Sequence, residues 1–389
     1  MKDSSKMKKI GIITLVRVNN FGAELQAFAT QHALQLMGHD SEIIDYHYFT
    51  HPLHKKTKGS KPSFSMPLKL KVIVALYPWY QRFKRLKQCK AILKRREDCF
   101  ESFHKENTKF SKEYRTAESL ETAGMDYDAF VVGSDQVWNP NNYTSLDPYF
   151  LKFAPQNKRR ISYASSFGVS VLPEHSRPYY REALRGLNAV GVREENAIQL
   201  VDDVAGVKAQ WVIDPTLLLT GDEWIKYGKA VEVVPENFVL IYEVTPCSYV
   251  KKLAQKIAAD MDYKVVRING DALRQEADAE VLNVMAAGPA EFIWLFNKAK
   301  IIVTNSFHGT AFSLNLQKDF FVVTPKRKKN NSRQKSLLRL VTQEDRLLVE
   351  GSPMPEKDKF RVDYSTVNPL LAEAREKSIN YLKGAIDGE

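Results

Sequence analysis

The sequence predicts an α/β fold of two Rossmann-like domains in tandem, each a doubly wound parallel sheet, facing each other across a cleft. Short β-branched runs alternate with helical stretches along most of the 389 residues, the pattern of βαβ units and parallel strands. The alternation lapses once, between about residues 220 and 235, where GDEW and VVPEN read as polar loop. Several strands end in clusters of Gly, Ser, Asn and Asp directly before a helix, and in such sheets ligands lie outside the carboxyl ends of the strands. The expected domains are therefore residues 1–225 and 226–368, with residues 369–389 a helix packing back on the first domain.

The elements follow in order. KIGIITLV is a strand ending near Val16, and RVNNFG is a turn. Leu25, Phe28, Ala29, His32, Ala33 and Leu36 then recur at the spacing of one helix face, Gly38 stops that helix, and SEIIDY is the next strand. This unit lacks GxGxxG, so a dinucleotide fingerprint is not supported. After a basic stretch at residues 46–96, a helix runs to about Lys112, and strands are expected at AFVV, RRISYAS, LNAVGV and QWVI. The second domain repeats the alternation: NFVLIYEV, a helix from Tyr249 to Met261, YKVVRI, a helix around Ala290 to Ala299, KIIVTNS, a helix from about Gly309, and FFVVTP.

With 44% hydrophobic and 26% charged residues, the chain has a globular composition. No window holds the roughly 18–20 apolar residues of a membrane-spanning helix. The opening MKDSSKMKKIGIITLV has too short an apolar core for a signal peptide, so a cytoplasmic location is expected. Cys89, Cys99 and Cys247 show no CxxC spacing and suggest neither a disulfide framework nor structural zinc. The net charge of +11 is regional, because fourteen Lys and Arg without an acidic residue lie between Tyr46 and Arg96, leaving the remainder at −3. Within residues 52–90, Val72, Ile73, Leu76, Tyr77, Trp79, Tyr80 and Phe83 are interleaved with those cations. That mixture suits the anionic inner face of a membrane, aromatics at headgroup level and cations towards phosphate. No helix-turn-helix, RNA-recognition or zinc-finger pattern accompanies the charge, so nucleic acid is not an expected partner.

Ser306, Phe307, His308, Gly309 and Thr310 follow a strand and open a helix. Glycine there admits backbone N–H groups to an anion, and the helix N-terminus favours phosphate or carboxylate. His308 beside it can carry charge or pass a proton. Asn20 and Gly22 occupy the matching turn of the first domain. Ser134, Asp135, Gln136, Trp138 and Asn139 follow AFVV and gather a carboxylate, amides and an indole suited to sugar hydroxyls. Ser166 ends another strand, and Arg193 is placed for a bidentate contact with carboxylate or phosphate. Asp214-Pro215-Thr216 reads as a structural turn. Lys326 to Arg339, with seven cations including Arg333, reads as a mobile loop closing over a phosphorylated substrate.

Taken in order, NNFGAELQAFATQHALQLMG, VVGSDQVWN, SYASSFG, VREEN, DPTLLL and TNSFHGTAFSL resemble the polysaccharide pyruvyl transferase family, from about Lys9 to Arg346. The resemblance implies a GT-B-like fold and transfer of a pyruvyl group from phosphoenolpyruvate to a sugar or lipid-linked oligosaccharide, as a ketal bridging two hydroxyls. It places the family's histidine-glycine motif on His308-Gly309 and its functional arginine on Arg193. Phe21 stands where the family commonly has tyrosine, and Glu24 is a charge in a usually apolar stretch. His308 is the expected acid, Asp135 the base, and Gln136, Trp138 and Asn139 orient the sugar. No metal and no cofactor beyond the donor substrate are expected. The alternative on the same architecture is a nucleotide-sugar-dependent glycosyltransferase, and a non-catalytic basic adaptor is the rival from another class.

Overall fold

The structure, a computed structural model, describes residues 7–50, 79–142, 144–269, 280–326 and 331–388. Its first sheet contains β1 (Lys9–Ile13), β2 (Asp40–Tyr46), β3 (Phe110–Tyr114), β4 (Ala129–Val132), β5 (Arg159–Ser165), β6 (Ala189–Val192) and β7 (Ala209–Trp211). They pair in the order β3-β2-β1-β4-β5-β6-β7, every pairing parallel. The second contains β8 (Phe238–Glu243), β9 (Lys264–Asn269), β10 (Val281–Val284), β11 (Ile301–Thr304), β12 (Asp319–Thr324) and β13 (Leu347–Val349), in the order β10-β9-β8-β11-β12-β13, also wholly parallel. Both sheets are doubly wound, and AFVV and IIVT read as continuous apolar runs because helices cover both faces of each sheet.

The helices are α1 (Phe21–Leu36), α2 (Trp79–Asn107), α3 (Ala117–Glu121), α4 (Arg177–Arg185), α5 (Asn196–Ala205), α6 (Gly221–Ile225), α7 (Ser248–Met261), α8 (Pro289–Lys298), α9 (Phe307–Asn315), α10 (Ser332–Leu340) and α11 (Tyr364–Asp387). Helix α1 departs from the one-faced pattern of its sequence, since every residue from Phe21 to Gln31 is buried. The second domain covers its other side: Phe21 stacks on Phe292 at 4.9 Å and meets the edge of Tyr242 at 5.9 Å. Helix α11 returns to the first domain, where the Tyr381 hydroxyl donates to Ser162 O and Arg159 donates to Ala385 O. None of the described helices is long and apolar enough to cross a membrane.

Three short strands differ from the sequence expectation. The helix expected to reach Lys112 ends at Asn107 and gives way to β3, while β10 and β13 were not foreseen. Lys326 to Arg339 is not a loop throughout, because Ser332 onwards forms α10; residues 327–330 lie outside the described residues, as do residues 52–78 of the expected membrane-facing segment.

Candidate active site

Strands β1 and β4 are neighbours at the switch point of the first sheet, and β11 neighbours β8 at that of the second. The turns leaving β1, β4 and β11 carry Gly22, Gly133 to Asn139, and Ser306 to Thr310, so the fold gathers them at one cleft. The closest approach is between helix N-termini. A Cβ built on Gly22 would stand 2.0 Å from His308 Nδ1, so only glycine lets the first turn of α1 lie against the imidazole. On its other edge, His308 Nε2 lies 3.6 Å from Asp214 Oδ2. His308 is 7% exposed and therefore bridges two segments of the first domain from the second.

Asp214, expected to be a turn residue, is the hub of the site. Its Oδ1 accepts from the Thr216 amide and hydroxyl, and its Oδ2 accepts from Arg193 at 2.8 Å and lies 3.0 Å from Ser134 Oγ. Burial raises its pKa, but His308 and Arg193 outweigh that and hold the carboxyl well below the usual carboxylate range. Arg193 places its second terminal nitrogen 3.2 Å from Asp135 Oδ1. Both ends of its fork thus face protein carboxylates rather than standing free for a bidentate substrate contact, as the sequence had suggested. Asp135 follows the same logic as Asp214: burial works against its charge, while Arg193, His308 and Arg333 lower its pKa on balance. Arg193 itself is raised, its partner carboxylates overcoming burial.

Arg333 points inward from the first turn of α10. With the Gln136 amide oxygen turned towards it, its two terminal nitrogens donate over 3.2 and 3.0 Å. Burial and the neighbouring Arg193 lower its pKa. Both guanidinium groups face the Phe307 ring, at 4.8 and 5.9 Å, within the range of cation–π attraction. Gly168, at φ +66°, leaves room for the Gln136 and Asn139 amides, because a Cβ there would lie 2.1 Å from the Gln136 amide.

Other expected site residues have structural partners. Trp138 does not face the cleft: its indole is fully buried, stacks on Phe150 at 5.2 Å and donates to Tyr149 O, sealing the core beneath the turn. Ser166 is buried and donates to Glu194. Asn20 is exposed and caps α1 by accepting from the Ala23 amide. Thr310 donates within the helix to Ser306 O. Gly309 is needed where its Cα meets Thr304, whose Oγ1 would be 2.2 Å from a Cβ, so its role is to seat α9 on β11. Ser306 occupies the N-cap position without a side-chain capping bond, leaving the first N–H groups of α9 without a capping side chain.

Three further residues of this region were given no site role by the sequence, although Glu24 stood out as a charge. Gln26 joins three segments, donating to Thr14 Oγ1 and accepting from the Ser134 amide, both at 2.9 Å. Glu24 is buried and reaches His104 Nε2 at 2.6 Å and the Val18 amide at 3.2 Å. Arg96 donates to Asn19 O and lies over the Phe21 ring. Helix α2 therefore fastens the turn that ends in Gly22. A DPT sequence after an apolar run was the available signal for Asp214. For Glu24 it was the charge in an apolar stretch.

Three polar atoms of the cluster are buried without a hydrogen-bond partner: His308 Nε2, Arg193 Nε and Glu194 Oε2. Among the described residues no group of three or more His, Cys, Asp or Glu is arranged to hold a metal ion.

The fold is similar to that of UDP-GlcNAc 2-epimerase from Neisseria meningitidis, solved bound to UDP-GlcNAc, at 11% identity over 98% of each chain with a TM-score of 0.50. It is likewise similar to UDP-N-acetylglucosamine 2-epimerase from Rickettsia bellii, at 10% identity over 98% of this chain and 97% of the other, with a TM-score of 0.52. At these identities the likeness shows the two-domain GT-B-type fold alone. No curated protein matches the chain. A family model for polysaccharide pyruvyl transferases matches residues 20–327, a span that includes Gly22, Ser134 to Asn139, Arg193, Asp214 and Ser306 to Thr310, and the chain belongs to the polysaccharide pyruvyl transferase family.

Proposed function

We propose that the protein transfers the pyruvyl group of phosphoenolpyruvate to two hydroxyls of one sugar in a cell-surface polysaccharide or its lipid-linked precursor. The observation that carries this reading is His308, held between Asp214 on one edge and the first turn of α1 on the other. With Nε2 turned to Asp214, Nδ1 is the ring nitrogen available to deliver a proton. Protonation of the donor's methylene carbon makes C2 cation-like, and an acceptor hydroxyl attacks it. The C2–O bond then breaks and inorganic phosphate leaves. A second hydroxyl of the same sugar closes the ketal, so that one hydroxyl proton replaces that given to the methylene and the other leaves with phosphate.

Arg333 and the N–H groups at the start of α9 are the donors best disposed towards the anion. Asp135 stays ionised and accepts the attacking hydroxyl's proton, for which a weak base suffices because a cation-like C2 acidifies that hydroxyl. Gln136, beside Arg333, orients the sugar. The chemistry requires no metal or further cofactor. General acid catalysis is worth roughly 10²–10⁴ in rate, so His308→Ala should lose at least that much phosphate release while still binding phosphoenolpyruvate in a calorimetric titration. A loss under about tenfold with the donor bound removes His308 from proton transfer. Saturable binding of a nucleotide sugar in place of phosphoenolpyruvate favours glycosyl transfer.

The same reading gives the basic segment a task, resting the enzyme on the cytoplasmic face of the membrane where lipid-linked glycans are assembled. Lys90, Lys94 and Arg95, at the described end of that segment, are exposed on α2. Binding to phosphatidylglycerol vesicles should fall with salt and disappear on deletion of residues 52–90; binding unchanged by the deletion refutes the role.

A further inference from the structure

We propose that the cavity between α5 and α10 is the subsite for the acceptor saccharide, an assignment that rests on the pyruvyl-transfer reading and adds the place where the sugar lies. The cavity encloses about 600 Å³, within the roughly 300–1,000 Å³ of small-molecule sites. Its walls are built from residues next in sequence to those of the catalytic cluster. On the first domain, Arg193 and Glu194 belong to the buried cluster, and the next two residues, Glu195 and Asn196, line the cavity. On the second, Arg333 reaches Gln136 while its neighbours Ser332 and Lys335 line the cavity. The two walls are tied across the domain boundary, where the Glu195 amide donates to Ser336 Oγ at 3.4 Å and Arg339 pairs with Glu195 at 3.3 Å. Glu194 Oε2, buried without a partner, sits in the segment common to both spaces.

The lining selects a polyhydroxyl ligand over a polyanion. Amides, hydroxyls and carboxylates alternate, with Gln199 donating to Asp203 Oδ1 at 2.8 Å along one wall. Carboxylates and amides are the groups that accept from and donate to sugar hydroxyls. Three cations also line the cavity, but Arg339 is paired with Glu195 and Arg177 lies 3.7 Å from Glu174, which leaves Lys335 as a single positive charge beside Asp203 in the lining. No cluster of unopposed charge of the kind a nucleoside diphosphate needs is present among these described residues. A sugar seated here presents one end to the Arg333–Gln136 pair and leaves the rest of the glycan towards solvent.

The test uses the full chain, with the methyl glycosides of galactose, glucose, mannose and N-acetylmannosamine as probes in saturation-transfer NMR, and UDP as competitor. Gln199→Trp fills the cavity from an exposed helix position, Asp203→Ala removes a polar group without adding bulk, and melting temperatures confirm that both fold. At least one glycoside should bind the wild type, and Gln199→Trp should weaken it at least about tenfold, with phosphoenolpyruvate affinity by calorimetry unchanged and UDP without effect. Absence of binding by all four glycosides, binding indifferent to both variants, or displacement by UDP overturns the subsite. Glycoside binding lost in Gln199→Trp, from a protein that fails to bind phosphoenolpyruvate, instead sinks the pyruvyl-transfer reading and leaves the saccharide subsite standing.

Discussion

Gly22→Ala tests the contact on which the site depends. The added methyl would lie 2.0 Å from His308 Nδ1, whereas ordinary van der Waals contact begins at 3.4 Å, so one partner must retreat by about 1.4 Å. The imidazole has little room to turn, being 7% exposed and bounded by Asp214 on its far edge. Displacing a catalytic group by about 1 Å costs on the order of 10² in rate, and overpacking costs about 1–3 kcal/mol of stability. The assay is phosphate release from phosphoenolpyruvate with an acceptor glycoside, alongside urea denaturation. Gly38→Ala is the control, since Gly38 has nothing within 4 Å of a Cβ and should show only the backbone cost of its φ of +88°, about 1–2 kcal/mol, with activity retained. If Gly22→Ala turns over within about tenfold of the wild type, the packing of α1 against the imidazole does not position His308.

Asp214→Asn should destabilise the protein at neutral pH by about 3–5 kcal/mol, the usual cost of breaking one side of a buried ion pair, read by urea denaturation. Because the folded pKa values of Asp214 and Asp135 are lowered, their contribution is present above the unfolded value of about 3.9 and is lost as pH falls from there towards the folded values. Thermal melting between pH 5 and 2 should thus show a loss that steepens below about pH 4 in the wild type and is shallower in Asp214→Asn; parallel curves refute the assignment. Trp138→Phe should cost about 1–3 kcal/mol by orphaning the Tyr149 carbonyl, with the acceptor KM unchanged, while a raised KM would return the indole to the sugar site.

What could be read in advance follows from which interactions are local. Strand, turn and helix N-terminus are local, so the turn at Ser306 to Thr310 and its place at the cleft were legible from IIVTNSFHGT. Asp214 was not, because its partners Ser134, Arg193 and His308 come from three other strand ends, and only the assembled sheets bring them together. GSDQVWN looked rich enough in polar groups to bind sugar through every member. Yet a turn over a core also needs a lid, and Trp138 fills that need while Asp135 and Gln136 face the cluster. Glu24 was visible as an anomaly, but its partner His104 lies 80 residues away. β3, β10 and β13 are short flanking strands whose FSKEY, VLNV and LLV carry too little pattern to distinguish them from loops.

The chain passes between the domains twice, before β8 and again before α11, and both passages are knotted to the rear end of α9. Asn315 donates to Thr216 O and Leu219 O on the first passage, while Arg375 of α11 donates to Leu217 O and Asn315 Oδ1. His308 rides near the opposite end of this nine-residue helix, about 10 Å from that knot at the usual rise per residue. The helix is thus a short lever with its fulcrum at the double crossing. A turn of about 10° about that knot would sweep its tip through roughly 2 Å, a displacement comparable with the 3.6 Å that separates His308 Nε2 from Asp214.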